Sequence, residues 1–238
     1  MKHPVRIFCD FDGTISTKDI GYDFFDRFGS QDPLHGDLVE KRIGIREYWR
    51  GVVKTLREPV TLQALDAYLE TIPIDPSAVA LFRYVKEEGI PIMVLSDGLS
   101  VYVERYLALH GITDVPVVCN RAHINEDGGL DVEFSYAADG CECPSAVCKR
   151  NVLLTSSRPD ERLIYIGDGL SDFCPVTCAD VIFAKGSLAA HCNANGLPHH
   201  SWKGLFEVLR ELKKLMNAPS IRPRHQAELA RKRVWESG

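Results

Sequence analysis

The chain runs to 238 residues, 45% of them hydrophobic, enough to bury one core of ordinary size plus a smaller insert. Its net charge of −5 offers no electrostatic footprint for nucleic acid or for a membrane surface. No apolar stretch reaches the roughly 18 residues a spanning helix requires, and the amino terminus has no signal-like apolar region, so a soluble, cytoplasmic protein is expected.

Residues 7 to 14 read Ile-Phe-Cys-Asp-Phe-Asp-Gly-Thr, an apolar run of strand type ending in two aspartates and a glycine. Period-two alternation predicts Asp10 and Asp12 on one face at the carboxyl end of that strand, where α/β sheets keep their ligands. Adjacent carboxylates repel, so a cation or a shared proton is expected between them. Taken alone, the same pattern fits a solvated turn. Residues 19 to 28, 45 to 57 and 61 to 70 each show the 3.6-residue apolar period of an amphipathic helix, and a further helix over 77 to 88, closed by Gly89, returns the chain to the core. Ile90 to Leu95 is a second strand-length apolar run, stopping at Ser96 and Gly98. The helix predicted from Ser100 to Leu109, with Gly111 past its end, aims its first N–H groups at that strand tip and favours an anion there. Alternating runs around Asp127-Gly128-Gly129 predict a β-hairpin over 115 to 136. Lys149 opens a helix reaching about Ser156, and Leu163 to Gly167 is a buried-type strand delivering Asp168 and Asp172.

These pieces, in this order, resemble the haloacid dehalogenase superfamily, most of whose members are magnesium-dependent phosphatases that form an aspartyl-phosphate. Asp10-Phe11-Asp12-Gly13-Thr14 resembles motif I, Ser96 falls at motif II, Lys149 at motif III, and Gly167-Asp168 with Asp172 at motif IV. The resemblance implies an α/β fold with a Rossmann-like parallel-sheet core formed by residues 1–16 and 76–216. It also implies a helical cap over 17–75, similar to that of phosphoserine-phosphatase-like members, and leaves 217–238 as a basic tail.

By the same resemblance, Asp10 is the nucleophile and Asp12 the general acid and base. Ser96 and Lys149 hold the phosphoryl oxygens, and Mg²⁺ is held by Asp10, Asp168 and the main-chain carbonyl of Asp12, with Asp172 supporting the metal. The chemistry requires such groups, because a phosphate dianion repels a carboxylate nucleophile unless charge is screened and attack is held in line. Asp12 argues against the dehalogenase branch, which lacks a second motif I aspartate.

The substrate expected is a small phosphorylated metabolite. Asp19 lies where phosphoserine phosphatases carry a carboxylate for the substrate amine, though it equally fits a helix amino-terminal acid. Asp97 and Gly98 complete the expected substrate-binding set. Asp97 resembles the Ser-Asp of phosphoethanolamine/phosphocholine phosphatases, while Ser171 is closer to methylthiopentenyl-phosphate phosphatases. A phosphotransferase with an acceptor other than water, and a non-catalytic phosphometabolite-binding protein, are the competing readings.

Cys141, Cys143 and Cys148 supply three soft ligands, one short of a closed zinc site unless Cys119 or a histidine joins, and the favoured reading is free thiols in a reduced compartment. Cys9, Cys174, Cys178 and Cys192 are expected to pack as small apolar residues. His199-His200 reads as a loop pair. The tail, with Arg231-Lys232-Arg233, reads either as solvated or as packing on a second subunit of a homodimer.

Overall fold

A computed structural model of the chain describes residues 4–137, 141, 143 and 145–237, with side chains of the last helix as far as Arg233. In chain order the strands are β1 (Val5–Asp10), β2 (Ile92–Leu99), β3 (Val117–Ile124), β4 (Leu130–Glu133), β5 (Arg162–Gly167), β6 (Val181–Ala184) and β7 (His200–Ser201). They form one sheet in the order β4-β3-β2-β1-β5-β6-β7, parallel throughout except where β4 returns antiparallel to β3. This is an α/β fold, and its central strands are near-continuous apolar runs because helices cover both faces. Alternation along β1 sends Ile7 and Cys9 into one core and Phe8 into the other.

Helices α1 (Ile20–Phe28), α2 (Leu34–Val39), α3 (Ile45–Val52) and α4 (Leu62–Leu69) lie between β1 and α5 (Ala78–Glu87). The two chain segments bounding them are tied together, since Ser16 bridges Ile74 and the Thr17 N–H donates to Pro73 O at 3.1 Å. Phe24, Phe25, Tyr48, Trp49 and Tyr68 form the buried aromatic interior of this group. The helix expected over 45 to 57 breaks into α3 and a short 3-10 turn, Val53–Thr55, where the Thr55 hydroxyl donates to Val52 O. Helix α2 had no periodic signal, and none of its residues is buried.

After β2 come α6 (Ser100–Leu109), α7 (Lys149–Thr155), α8 (Gly186–Ala194), α9 (Leu205–Asn217) and α10 (His225–Ser237). Among the described residues no helix is long and apolar enough to cross a membrane. The basic tail is anchored on this chain at Arg224, Ala227 and Arg231, while Lys232 and Arg233 are exposed. Arg231 is 3% exposed and donates to Cys178 O at 2.6 Å and to Asp180 Oδ1 at 3.1 Å. Arg224 donates to Val176 O and Thr177 O, at 2.5 and 2.9 Å. The 3-10 turn Pro175–Cys178 closes with the Ala179 N–H on Val176 O, and the guanidinium forks of the tail bind the carbonyls at its end.

Candidate active site

Strand order assembles the site. β1 lies between β2 and β5, with Asp10 paired to Leu95 and Cys9 to Ile166. The tip of β1 therefore carries Asp10 between Ser96 on β2 and Asp168 just beyond β5. Lys149, first residue of α7 and 1% exposed, comes in beneath them. Its ammonium donates to Asp10 Oδ1, to Ser171 Oγ at 2.8 Å and to Asp172 Oδ1 at 2.8 Å, so its three protons meet three acceptors.

Asp172, fully buried, is saturated. Its Oδ1 accepts from Lys149 and from the Tyr165 hydroxyl at 2.7 Å, and its Oδ2 accepts the N–H groups of Asp168 and Gly169 at 2.9 and 3.1 Å. Those bonds shape the turn that presents Asp168. Asp168 in turn accepts from the Thr14 hydroxyl at 3.3 Å. Gly13 sits at φ +73°, and a Cβ there would lie 2.4 Å from Asp168 Oδ2, so the glycine permits both the turn and the close approach of the carboxylate.

Carboxylate oxygens of Asp10, Asp168 and Asp172 all lie within 4.8 Å of one another. Three acids against one ammonium leave an excess of negative charge in a set of hard oxygen donors, which fits a divalent cation such as Mg²⁺. Burial, reinforced by the charge of Asp172, pushes the carboxyl groups of Asp10 and Asp168 upward, with Lys149 opposing. Burial disfavours the Lys149 ammonium, but Asp10 and Asp172 overcome it and hold Lys149 charged.

Asp12 lies apart from this cluster. The side chain takes the Ile20 N–H at 2.8 Å, at the start of α1, and lies 3.3 Å from the Ser96 hydroxyl. Alternation alone put Asp10 and Asp12 side by side, but β1 ends at Asp10, and the turn that follows hands Asp12 to the helical insert. Burial and the nearby Asp19 carboxylate push its carboxyl well upward.

The Ser96 hydroxyl accepts the Gly98 N–H at 2.9 Å. Asp19 is the N-cap of α1, accepting the Tyr22 N–H at 2.8 Å. Asp97 accepts the Val147 N–H at 2.7 Å, which secures the segment leading into Lys149. Burial, opposed by that bond, pushes the Asp97 carboxyl up to about 6. Since the folded value exceeds the ordinary 3.8, the ionised group costs stability above pH 6, and the cost fades as pH falls toward 4. Asp97→Asn, which keeps an acceptor for Val147, is expected to stabilise the protein by about 1–2 kcal/mol at pH 7.5, less than the full shift because of solvent screening. Thermal melts at pH 7.5 and 4.5 check this; an equal gain at both pH values would refute it.

Sequence reasoning missed Tyr165, Thr14 and the Lys149-holding role of Ser171. The available signal was a tyrosine inside the apolar run Leu163–Ile166, because a buried phenol needs a hydrogen-bond partner. Tyr102 was missed too. It is fully buried, its hydroxyl has no partner among the described residues, and it lies 2.6 Å from where a Cβ on either Gly21 or Gly98 would sit.

A family model described as Putative Phosphatase matches residues 5–195. The chain is 27% identical over 219 residues to a 2-hydroxy-3-keto-5-methylthiopentenyl-1-phosphate phosphatase of Geobacillus thermodenitrificans, covering 90% of this chain and 98% of the relative. A protein of the same name from Bacillus pumilus is 29% identical over 223 residues, covering 90% and 95%. Among solved structures, a substrate-bound phosphoserine phosphatase superposes with a TM-score of 0.64 at 17% identity, over 89% of this chain and 99% of that one. A phospho-aspartyl intermediate analogue of phosphoserine phosphatase gives 0.64 at 18% identity, over 88% and 99%. At such identities the structural likeness speaks for the fold.

Proposed function

This chain belongs to the putative phosphatase family and is a phosphatase of the haloacid dehalogenase type, and we propose that it hydrolyses a small phosphorylated metabolite through an aspartyl-phosphate on Asp10, with Mg²⁺ as cofactor. The observation that carries this reading is Lys149 bonded to both Asp10 and Asp172 beside the carboxylate of Asp168, at the tips of adjacent parallel strands. Mg²⁺, held by Asp10, Asp168 and the main-chain carbonyl of Asp12, would screen the phosphate dianion and polarise its oxygens. Asp172 has no free lone pair directed at an ion and supports the site through the Asp168 turn and Lys149.

Asp10 attacks phosphorus while Asp12, held by the Ile20 N–H beside Ser96, gives its proton to the departing oxygen. The phosphoryl group is then on Asp10, and the alcohol leaves. Asp12, now ionised, takes a proton from water, whose oxygen attacks the phospho-Asp10 and releases phosphate. Ser96 and Lys149 steady the phosphoryl oxygens through both steps. Helices α1 to α4 act as the cap that keeps bulk water from the intermediate.

The names of the relatives support an enol-type sugar-derived monophosphate as substrate. Asp19, Gly98 and the unpaired Tyr102 hydroxyl border the space between Ser96 and α1, where the leaving group would lie, whereas Asp97 turns its carboxylate to the Val147 N–H. The test is phosphate release from phosphoserine, phosphoethanolamine, phosphocholine and 2-hydroxy-3-keto-5-methylthiopentenyl-1-phosphate. Turnover of the last, lost on chelation and restored by Mg²⁺, is expected. A folded protein that releases phosphate from none of them overturns the reading in favour of a transferase or a binding role.

A further inference from the structure

We propose that Cys141, Cys143, Cys148 and Cys174 form a closed structural zinc site that ties the segment entering Lys149 to the segment leaving Asp172. The sulfurs of Cys141, Cys143 and Cys148 all lie within 4.8 Å of one another. The fourth corner comes from elsewhere in the chain, with Cys174 Sγ 3.6 Å from Cys141 Sγ. All four are free thiols. Tetrahedral zinc with Zn–S bonds of about 2.3 Å places its sulfurs about 3.8 Å apart; the Cys141–Cys174 pair stands near that spacing at 3.6 Å, and drawing Cys174 toward Cys143 and Cys148 closes the set. The separation is far beyond the roughly 2.05 Å of a disulfide.

Cys119, the sequence-stretch candidate for a fourth ligand, is instead buried in the main core under the opposite face of the sheet. Cys174, expected to pack as a small apolar residue, is partly exposed, and its sulfur lies 3.6 Å from that of Cys141.

A second feature points to the same charge. Arg150, next to Lys149 and two residues from Cys148, has a buried Nε with no hydrogen-bond partner among the described residues. A buried orphan donor is costly. Four thiolates around Zn²⁺ carry a net charge of −2, and N–H to sulfur bonds from Arg150 would answer both the orphan donor and that charge. Binding releases the four thiol protons to solvent, with no change of oxidation state.

The location gives the ion its role. Cys148 immediately precedes Lys149, and Cys174 follows Asp172 by two residues. A zinc cross-link here fixes the elements that supply Lys149, which holds Asp10, and Asp172, which holds Lys149, so these cysteines are positioning residues.

The experiment measures metal in the full chain, purified without a histidine tag and dialysed against a weak chelator. About one zinc per chain is expected, with Cys174→Ser retaining at least tenfold less and Asp168→Asn retaining it in full. Cobalt exchanged into the wild-type protein reads the ligand set without relying on the fold of a variant, and strong sulfur-to-cobalt charge-transfer absorption is expected. Any of four results overturns the proposal: no retained zinc and no such band; iron in place of zinc; a Cys141–Cys174 disulfide; or zinc lost from Asp168→Asn and kept in Cys174→Ser.

Discussion

Asp10→Asn is expected to lower phosphate release by on the order of 10⁴ to 10⁶, the scale seen when a covalent nucleophile is removed. An amide oxygen of the same shape cannot form the acyl phosphate, while Ser96, Lys149 and Asp168 stay where they are. The fold should not suffer. Asp10 stands within 4.8 Å of two other carboxylates, and removing one charge from that group relieves repulsion. In chelator the variant should therefore melt no lower than the parent, and acid-quenched parent incubated with substrate should carry phosphate that the variant lacks. A variant keeping more than a few per cent of the parental rate would rule out Asp10 as nucleophile.

Lys149→Met is expected to be the most damaging single change to stability. The ammonium is buried and has two carboxylate partners, also buried. Methionine fills much of the volume but leaves Asp10 and Asp172 facing each other without a cation. Breaking a buried ion pair from one side costs about 3–5 kcal/mol, a large fraction of the stability of an ordinary domain. Urea unfolding in chelator measures the loss. The double variant Lys149→Met with Asp10→Asn should recover part of it, because one uncompensated charge is gone. A single variant as stable as the parent would mean that Lys149 contributes no net stabilisation to the cluster.

Much of this site is legible in one dimension. Asp10, Ser96 and Asp168 each stand at the end of an apolar run, and the periodicity that marks a strand also marks its tip. Helix signals around Asp19, Gly89 and Gly111 and the apolar period over 61 to 70 were equally local, and α1, α4, α5 and α6 form close to where they placed them. α2 escaped because it buries nothing and so has no apolar period to read.

What the amino-acid order determined by itself was the inventory: the acids, hydroxyl and lysine required for phosphoryl transfer, in the order and spacing of a known superfamily, on an α/β scaffold. Tertiary structure alone decided which of them meet. Lys149 and Asp10 are 139 residues apart in the chain, and only the placement of β1 between β2 and β5 brings them together. The same holds for Asp12 turning to α1, for Asp172 spending all its lone pairs on Lys149, Tyr165 and two N–H groups, for Cys174 approaching Cys141, and for Arg231 burying itself on a 3-10 turn. Local pattern reports burial and backbone geometry, whereas the pairing of polar groups depends on which strands become neighbours, and that is set by the packing of the whole chain.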